Sequence, residues 1–252
     1  MKRIFFLISI IGLFFLLGAA NADLNSLIAQ GDQLYTAYDN NGALKAYLSA
    51  MELDSLSYEA NWKTSRAFVD VGETIEDDDQ RADYYLKGSL HARRATRINP
   101  EGGKGHLYLS VALGRVALDA GAKERIRLSK EIKSEVDLAI KYDPSDDIAY
   151  HVLGRWNRKL ANLSWIEKGF ADMFLGGVPE DASDENAVDA FKKAIEIKPK
   201  YINHYLELGK TYEMMGLDKE AAEAFQKCLE LPKSDSDDDK YKAEAKDLLD
   251  SL

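Results

Sequence analysis

Apolar residues recur along most of this chain at steps of three and four positions, the spacing of helices that bury one face. Alternating apolar and polar runs suited to strands are absent. The clearest segment spans residues 202–232, with small residues at Gly209, Gly216 and Ala221 and large ones at Tyr212 and Phe225. Small side chains let two helices approach, and large ones fill the space between them. The pattern predicts an all-α fold of paired helices.

These positions have the spacing of a tetratricopeptide repeat (TPR), a unit of two antiparallel helices in about 34 residues. Weaker copies precede it, so repeats are predicted at about 24–55, 58–100, 103–144, 147–199 and 202–232. Most of these segments end at a proline, which cannot continue helical hydrogen bonding. Residues 40–42, Asn-Asn-Gly, are predicted to turn between the two helices of the first repeat. Because one repeat cannot bury its own apolar face, a TPR-like α-solenoid over residues 23–252 is expected.

Two additions to the standard unit are predicted. Residues 160–183 enlarge the fourth repeat, and five apolar residues there share one face of a predicted extra helix: Leu163, Ile166, Phe170, Met173 and Phe174. Residues 236–252 are predicted to form a helix that caps the open end of the stack. The aspartates before it lack the glycine and glutamate spacing of a calcium loop, so they are interpreted as a helix start.

The N-terminal residues have the layout of a secretory signal peptide. Lys2 and Arg3 precede an apolar run over residues 4–17, and small residues follow up to Ala22. We therefore expect residues 1–22 to be removed and the protein to be exported, either to the periplasm or outside the cell. The alternative is an uncleaved segment that anchors the chain, which is the only route by which a membrane partner is expected.

Composition narrows the function classes. The formal net charge of −10 disfavours nucleic acid as a partner. The single cysteine, Cys228, allows no internal disulfide and is interpreted as a packed thiol. Four scattered histidines give no metal-ligand spacing, so no metal and no cofactor are predicted. Glycine-rich phosphate loops and an activated nucleophile are also absent, so the chain is predicted not to be an enzyme.

The best candidate for a binding site is a cationic row on the first helix of the fourth repeat. His151, Arg155, Arg158 and Lys159 fall near one face, and Arg115 of the preceding repeat is expected beside them. Arginine offers bidentate hydrogen bonds to a carboxylate or phosphate. The alternative is that acidic residues of adjacent helices neutralise the row within a structural network. The tryptophans at positions 62, 156 and 165 are interpreted as packing residues.

Two function classes remain open from these residues. One is a scaffold that holds a protein or peptide with an anionic group in its concave groove. The other is a carrier that encloses a lipid or another small molecule inside the superhelix.

Six motifs from Asp119 onward add a family resemblance. They are Gly121-Ala122-Lys123, Asp143-Pro144, the block from His151 to Trp156, Leu163-Ser164-Trp165, the turn at residues 174–179, and Leu229-Glu230-Leu231-Pro232. In this order they are similar to the regulator of microtubule dynamics family of TPR-like proteins, here with a bacterial style of export signal. The resemblance implies an all-helical, non-enzymatic binding domain. It also implies that some relatives are membrane-tethered and associate with lipid or cytoskeletal partners.

Overall fold

The computed structural model describes residues 23–164, 167–169, 177 and 182–252, and no strand occurs in these ranges. The proposed signal peptide and most of the predicted extra helix lie outside the described residues. Residues 167–169 are helical. No helix within the described ranges is both long and apolar enough to cross a membrane.

The described residues divide into two compact units, one that ends at Pro100 and one from Glu101 to Leu252. Four helices are described in the first unit: α1 (23–36), α2 (Asn40–Leu53), α3 (Tyr58–Gly72) and α4 (Asp78–Ile98). The second unit carries α5 (Gly103–Val116), α6 (Ala122–Tyr142), α7 (Asp147–Ala161), α8 (Asp184–Ile197), α9 (Ile202–Met214), α10 (Asp218–Glu230) and α11 (Asp238–Ser251). Helices pack in consecutive pairs, among them α3 with α4, α5 with α6, α7 with α8, and α9 with α10. This arrangement confirms the predicted all-α fold.

Close approach within a helix pair depends on a glycine that faces a buried aromatic ring. A Cβ added at Gly154 in α7 would lie 2.8 Å from the ring of Phe191 in α8, and one at Gly31 would overlap the ring of Tyr47. Both rings are fully buried. The glycine therefore fixes the distance between the helices and the position of the residue that follows it.

The first turn between helices differs from its prediction. The expectation that residues 40–42 form it was wrong, because α2 already begins at Asn40. Tyr38 takes the left-handed conformation instead, with φ of 63°. Asp39 then caps α2 by accepting a hydrogen bond from the Gly42 backbone N at 2.8 Å, which satisfies an otherwise unpaired helix donor.

Helix α11 covers one end of the α9–α10 pair. Its Ala245 is fully buried against a cluster that contains Ile202, Phe225 and Cys228. Asp238 is also fully buried, and its Oδ2 accepts hydrogen bonds from the backbone N of Asp235 at 2.7 Å and of Ser234 at 2.6 Å. These bonds fix the connection to the first turn of α11.

Candidate binding site

The cationic row on α7 meets an acidic residue of α9. Arg155, Arg158, Glu207 and Lys210 are named here the α7–α9 charge cluster. Arg158 is buried, and its Nη1 donates to the backbone O of Glu207 at 2.8 Å and to Oγ1 of Thr211 at 3.3 Å. Its Nη2 forms an ion pair with Oε2 of Glu207. Arg158 therefore joins two helices through buried, charge-assisted bonds.

Two further cations face the same carboxylate less closely. Nε of Arg155 lies 3.9 Å from Oε2 of Glu207, and the Arg155 side chain is 35% exposed. Nζ of Lys210 lies 3.5 Å from Oε1 of Glu207 and also pairs with Glu244 of α11. Burial raises the pKa of Glu207, but Arg155 and Arg158 outweigh it and hold that pKa at about 2. Glu207 is therefore ionised at neutral pH, with three cations sharing it.

A histidine pair lies beside the cluster. Nδ1 of His151 is 3.0 Å from Nδ1 of His204, and Nε2 of His204 is 3.0 Å from Oδ2 of Asp147. Because an ionised carboxylate only accepts, Nε2 of His204 donates to Asp147, and the neutral ring accepts at Nδ1 from His151. Burial lowers the pKa of both histidines, and His204 lowers that of His151 further. The pair is thus held neutral.

The five predicted site residues have different surroundings. His151 and Arg158 are buried, Arg155 and Arg115 are half-buried, and Lys159 is exposed near the end of α7. The structure brings Arg155 and Arg158 together at Glu207, an acidic neighbour of the kind that the structural alternative anticipated. Anion binding by these residues stays a prediction. Sequence reasoning did not find Glu207. The signal that could have found it is its position two residues before Gly209, a glycine at which two helices pack closely.

The first unit contains a second group of charges, arranged around one buried lysine and also missed by sequence reasoning. Asp32 of α1, together with Glu59, Lys63 and Arg66 of α3, is named here the α1–α3 charge cluster. Lys63 is buried, and its Nζ lies 2.6 Å from Oδ2 of Asp32 and 2.6 Å from Oε1 of Glu59. The Tyr47 hydroxyl donates to Oδ1 of Asp32 at 2.8 Å and accepts from Nη2 of Arg66 at 3.2 Å.

Aromatic rings border this second cluster. The Arg66 guanidinium lies 3.5 Å from the ring centre of Tyr35, and the ring of Trp62 lies 5.4 Å from both Arg66 and Lys63. Burial and the Asp32 carboxylate raise the pKa of the Tyr47 hydroxyl. Trp62 is half-buried and contacts cations, which its interpretation as a packing residue did not anticipate.

Other candidate chemistry has ordinary surroundings. Trp156 is buried and its Nε1 donates to the backbone O of Ser129 at 2.7 Å, which confirms it as a packing residue. Trp165 lies outside the described residues.

Cys228 is buried, and burial raises the pKa of its thiol to about 11. It is a packed thiol, as interpreted. Within the described residues, no group of three or more His, Cys, Asp or Glu side chains could hold a metal ion.

The fold that carries these clusters is that of TPR proteins. A thermophilic TPR protein of Thermus thermophilus superimposes with a TM-score of 0.64 at 17% identity, covering 88% of this chain and 98% of that one. Pseudomonas aeruginosa pilF superimposes with a TM-score of 0.57 at 12% identity, covering 93% of each chain. The protein is therefore a TPR-like helical repeat protein.

Family membership follows from sequence comparison. The family model for regulator of microtubule dynamics protein 1-3 matches residues 27–252, so the chain belongs to this family and the resemblance is confirmed. Rat regulator of microtubule dynamics protein 3 is 27% identical over 90% of this chain and 48% of its own length. Human protein 2 is 30% identical over 76% and 47%, and Caenorhabditis elegans protein 1 is 26% identical over 88% and 97%. The chain spans about half the length of the mammalian relatives.

Proposed function

We propose that this protein is an exported, non-enzymatic scaffold that binds an anionic group of a protein or peptide partner through Arg155 and Lys159. The observation that carries the proposal is the surplus of cations around Glu207. Three cations share two carboxylates there, because Lys210 also pairs with Glu244, and Arg155 is beyond hydrogen-bond distance from Glu207. Its guanidinium keeps donors for a carboxylate or phosphate.

The accessible face of α7 has the right geometry for such a partner. Arg155 and Lys159 are four residues apart on one helix, so their side chains point to the same side. Neither is buried, unlike Arg158. A pair of accessible cations attracts an anion even in a chain of formal net charge −10. Arg158 has a supporting part, because it holds α7 against α9 and keeps Glu207 in place. Arg115 remains a further candidate contact.

The scaffold part of the proposal rests on fold and family, and the export part rests on the pattern of residues 1–22. TPR architecture presents rows of helices to a partner without needing reactive groups. The buried, protonated Cys228 has no part in such a function. A lipid or small-molecule carrier is the competing function, and the experiment separates the two.

The test is a selection from a displayed random-peptide library, with lipids extracted from the same purified protein and identified by mass spectrometry. We expect peptides enriched in Asp and Glu for the unaltered protein. The double variant Arg155→Gln, Lys159→Gln should lose this enrichment. Lys219→Gln is the matched control, since Lys219 is an exposed lysine of α10, and it should bind like the unaltered protein.

Two outcomes would contradict the proposal. Selected peptides without acidic preference would exclude the anionic contact, as would binding that the double variant leaves unchanged. A defined lipid in stoichiometric amount, with no peptide selected, would favour the carrier instead. Arg158→Gln adds a useful contrast, because it should lower the free energy of unfolding, whereas the double variant should change it little.

A further inference from the structure

The side of α4 that faces away from α3 carries a regular stripe. Its members alternate at steps of four and three residues: Asp79, Asp83, Leu86, Leu90, Arg93 and Arg97. The opposite side packs on α3 through small and aromatic residues such as Tyr85, Gly88 and Ala92. Steps of three and four are the spacing by which one helix presents a seam to a second helix.

The two leucines in the middle of the stripe are exposed to solvent. Leu86 is 52% exposed and Leu90 is 58% exposed, one helical turn apart. Single exposed leucines are ordinary, but adjacent ones form an apolar contact point. Of the four charged members, Asp79, Asp83 and Arg97 are exposed and Arg93 is half-buried.

The stripe is symmetric about residue 88. Asp79 and Arg97 are nine residues on either side of it, Asp83 and Arg93 five, and Leu86 and Leu90 two. In two antiparallel copies of α4 related by a twofold axis near this point, acids of one copy would face arginines of the other, and leucine would face leucine. A self-complementary patch of this kind is what a twofold interface requires.

We propose that α4 is a dimerisation surface on which a second copy of this chain docks antiparallel. The order of acidic and basic residues along the stripe favours an antiparallel second copy over other partners. A parallel copy would place Asp against Asp, and an anionic membrane surface would be repelled by the acidic half of the stripe. Lys87 pairs with Asp83 at 2.6 Å, but both side chains are about half exposed, and exposed pairs of this type are weak and exchangeable.

The size of the surface predicts a reversible dimer. A helix of 21 residues is about 30 Å long at 1.5 Å per residue, so a contact along one helix lies at the small end of specific interfaces. We expect a dissociation constant on the order of micromolar, rising with salt because three of the four flanking charges are exposed.

The test uses charge reversal and its rescue. One variant makes the charged stripe wholly acidic, with Arg93→Glu and Arg97→Glu, and a second makes it wholly basic, with Asp79→Arg and Asp83→Arg. Sedimentation velocity of the full-length chain in a non-ionic detergent should show a reversible dimer for the unaltered protein. Each variant alone should be monomeric, and an equimolar mixture of the two should form a heterodimer. Because all samples share residues 1–22, association through that segment would be equal in all of them.

A second pair of variants tests the apolar centre. Leu86→Gln with Leu90→Gln should weaken the dimer at least tenfold, whereas Leu118→Gln, at a leucine of the second unit that is 55% exposed, should leave it unchanged. Circular dichroism confirms that each chain is folded. The proposal is overturned if the unaltered protein stays monomeric at concentrations well above micromolar. It is equally overturned if the mixed charge variants associate no more than each does separately.

Discussion

The two units hold a buried charge at matching places but with opposite sign. In the α1–α3 charge cluster, buried Lys63 is held by Asp32 and Glu59, whose side chains are 44% and 53% exposed. In the α7–α9 charge cluster, buried Glu207 is held by Arg158, which is itself only 8% exposed. The first unit thus surrounds a cation with hydrated anions, and the second pairs a buried anion with a buried cation.

The correspondence extends to the position in the repeat. Asp32 directly follows Gly31, and Arg155 directly follows Gly154, the glycines that each pack against an aromatic ring. Asp32 pairs with Lys63, and Arg155 faces Glu207. Both of these partners lie on the first helix of the next repeat. The same position in the repeat can therefore carry either an acidic or a basic side chain. We therefore expect the exposure of the partners, rather than the presence of an ion pair, to decide how much each cluster contributes to stability.

The largest effect is expected for Glu207→Gln. Removal of its charge leaves Arg158 buried without a counter-ion, a change that typically costs about 3–5 kcal/mol. Urea unfolding followed by circular dichroism would measure the loss in free energy of unfolding. Glu223→Gln on α10 is the matched control, because that carboxylate is 69% exposed, and it should change stability by less than about 0.5 kcal/mol. Equal effects of the two variants would show that Arg158 does not depend on Glu207.

A smaller effect is expected in both units when the packing glycines are replaced, and it should be larger for Gly31→Ala because the added Cβ comes closer to its ring. Gly31→Ala and Gly154→Ala each force a Cβ against a buried ring, which costs about 1–3 kcal/mol. Gly114→Ala has open space around the added carbon and should stabilise α5 by up to about 1 kcal/mol. Thermal unfolding would rank the three. A larger loss for Gly154→Ala than for Gly31→Ala would contradict this order and would mean that the rings do not dominate these sites.

Acidification should weaken both units through different histidines. Burial lowers the pKa of His91 to about 4 in the first unit, and burial also lowers those of His151 and His204 in the second. Because the unfolded chain binds the proton more readily, stability is fully present above the unfolded pKa of about 6.5 and is lost as pH falls below it. The slope cannot exceed about 1.4 kcal/mol per pH unit for each proton.

Hydrogen exchange between pH 7 and pH 5 would resolve the two units. His91→Gln should reduce the pH dependence of α3 and α4 and leave that of α7 and α9 intact, and His204→Gln should do the reverse. In this range the Glu207 carboxyl stays ionised, since Arg155 and Arg158 hold its pKa at about 2 despite its burial. A single slope shared by both units in every variant would contradict this assignment.

The smallest effect is expected for Lys63→Met. Its partners Asp32 and Glu59 are accessible and can be hydrated once the lysine is gone, and the Tyr47 hydroxyl still donates to Asp32. Methionine fills a similar volume and the substitution leaves no buried charge uncompensated, so the change should stay within about 1 kcal/mol. Chemical denaturation beside Glu207→Gln measures the contrast directly. A loss of unfolding free energy as large as that of Glu207→Gln would contradict the difference expected between the two clusters.

Much of the fold could be predicted from local patterns. The spacing of Gly209, Ala221 and Phe225 predicts a helix pair because steps of three and four residues bring side chains to one helix face. The turn at residues 40–42 was misplaced because Asp39 competes for the cap and lets the helix begin earlier. At the candidate site, the row of Arg155 and Arg158 was recognisable, but its acidic partner was not.

The sequence by itself determined the helical periodicity, the paired helices with their close-packing glycines, and the family. Only the tertiary structure decided which charges meet. Arg158 and Glu207 are 49 residues apart, and Lys63 and Asp32 are 31 apart. Periodicity assigns each of these residues to a helix face but does not say which residue of another helix lies opposite, nor how much water remains between them. Since the strength of an ion pair depends on that distance and on that exposure, the difference expected between the two clusters is a property of packing.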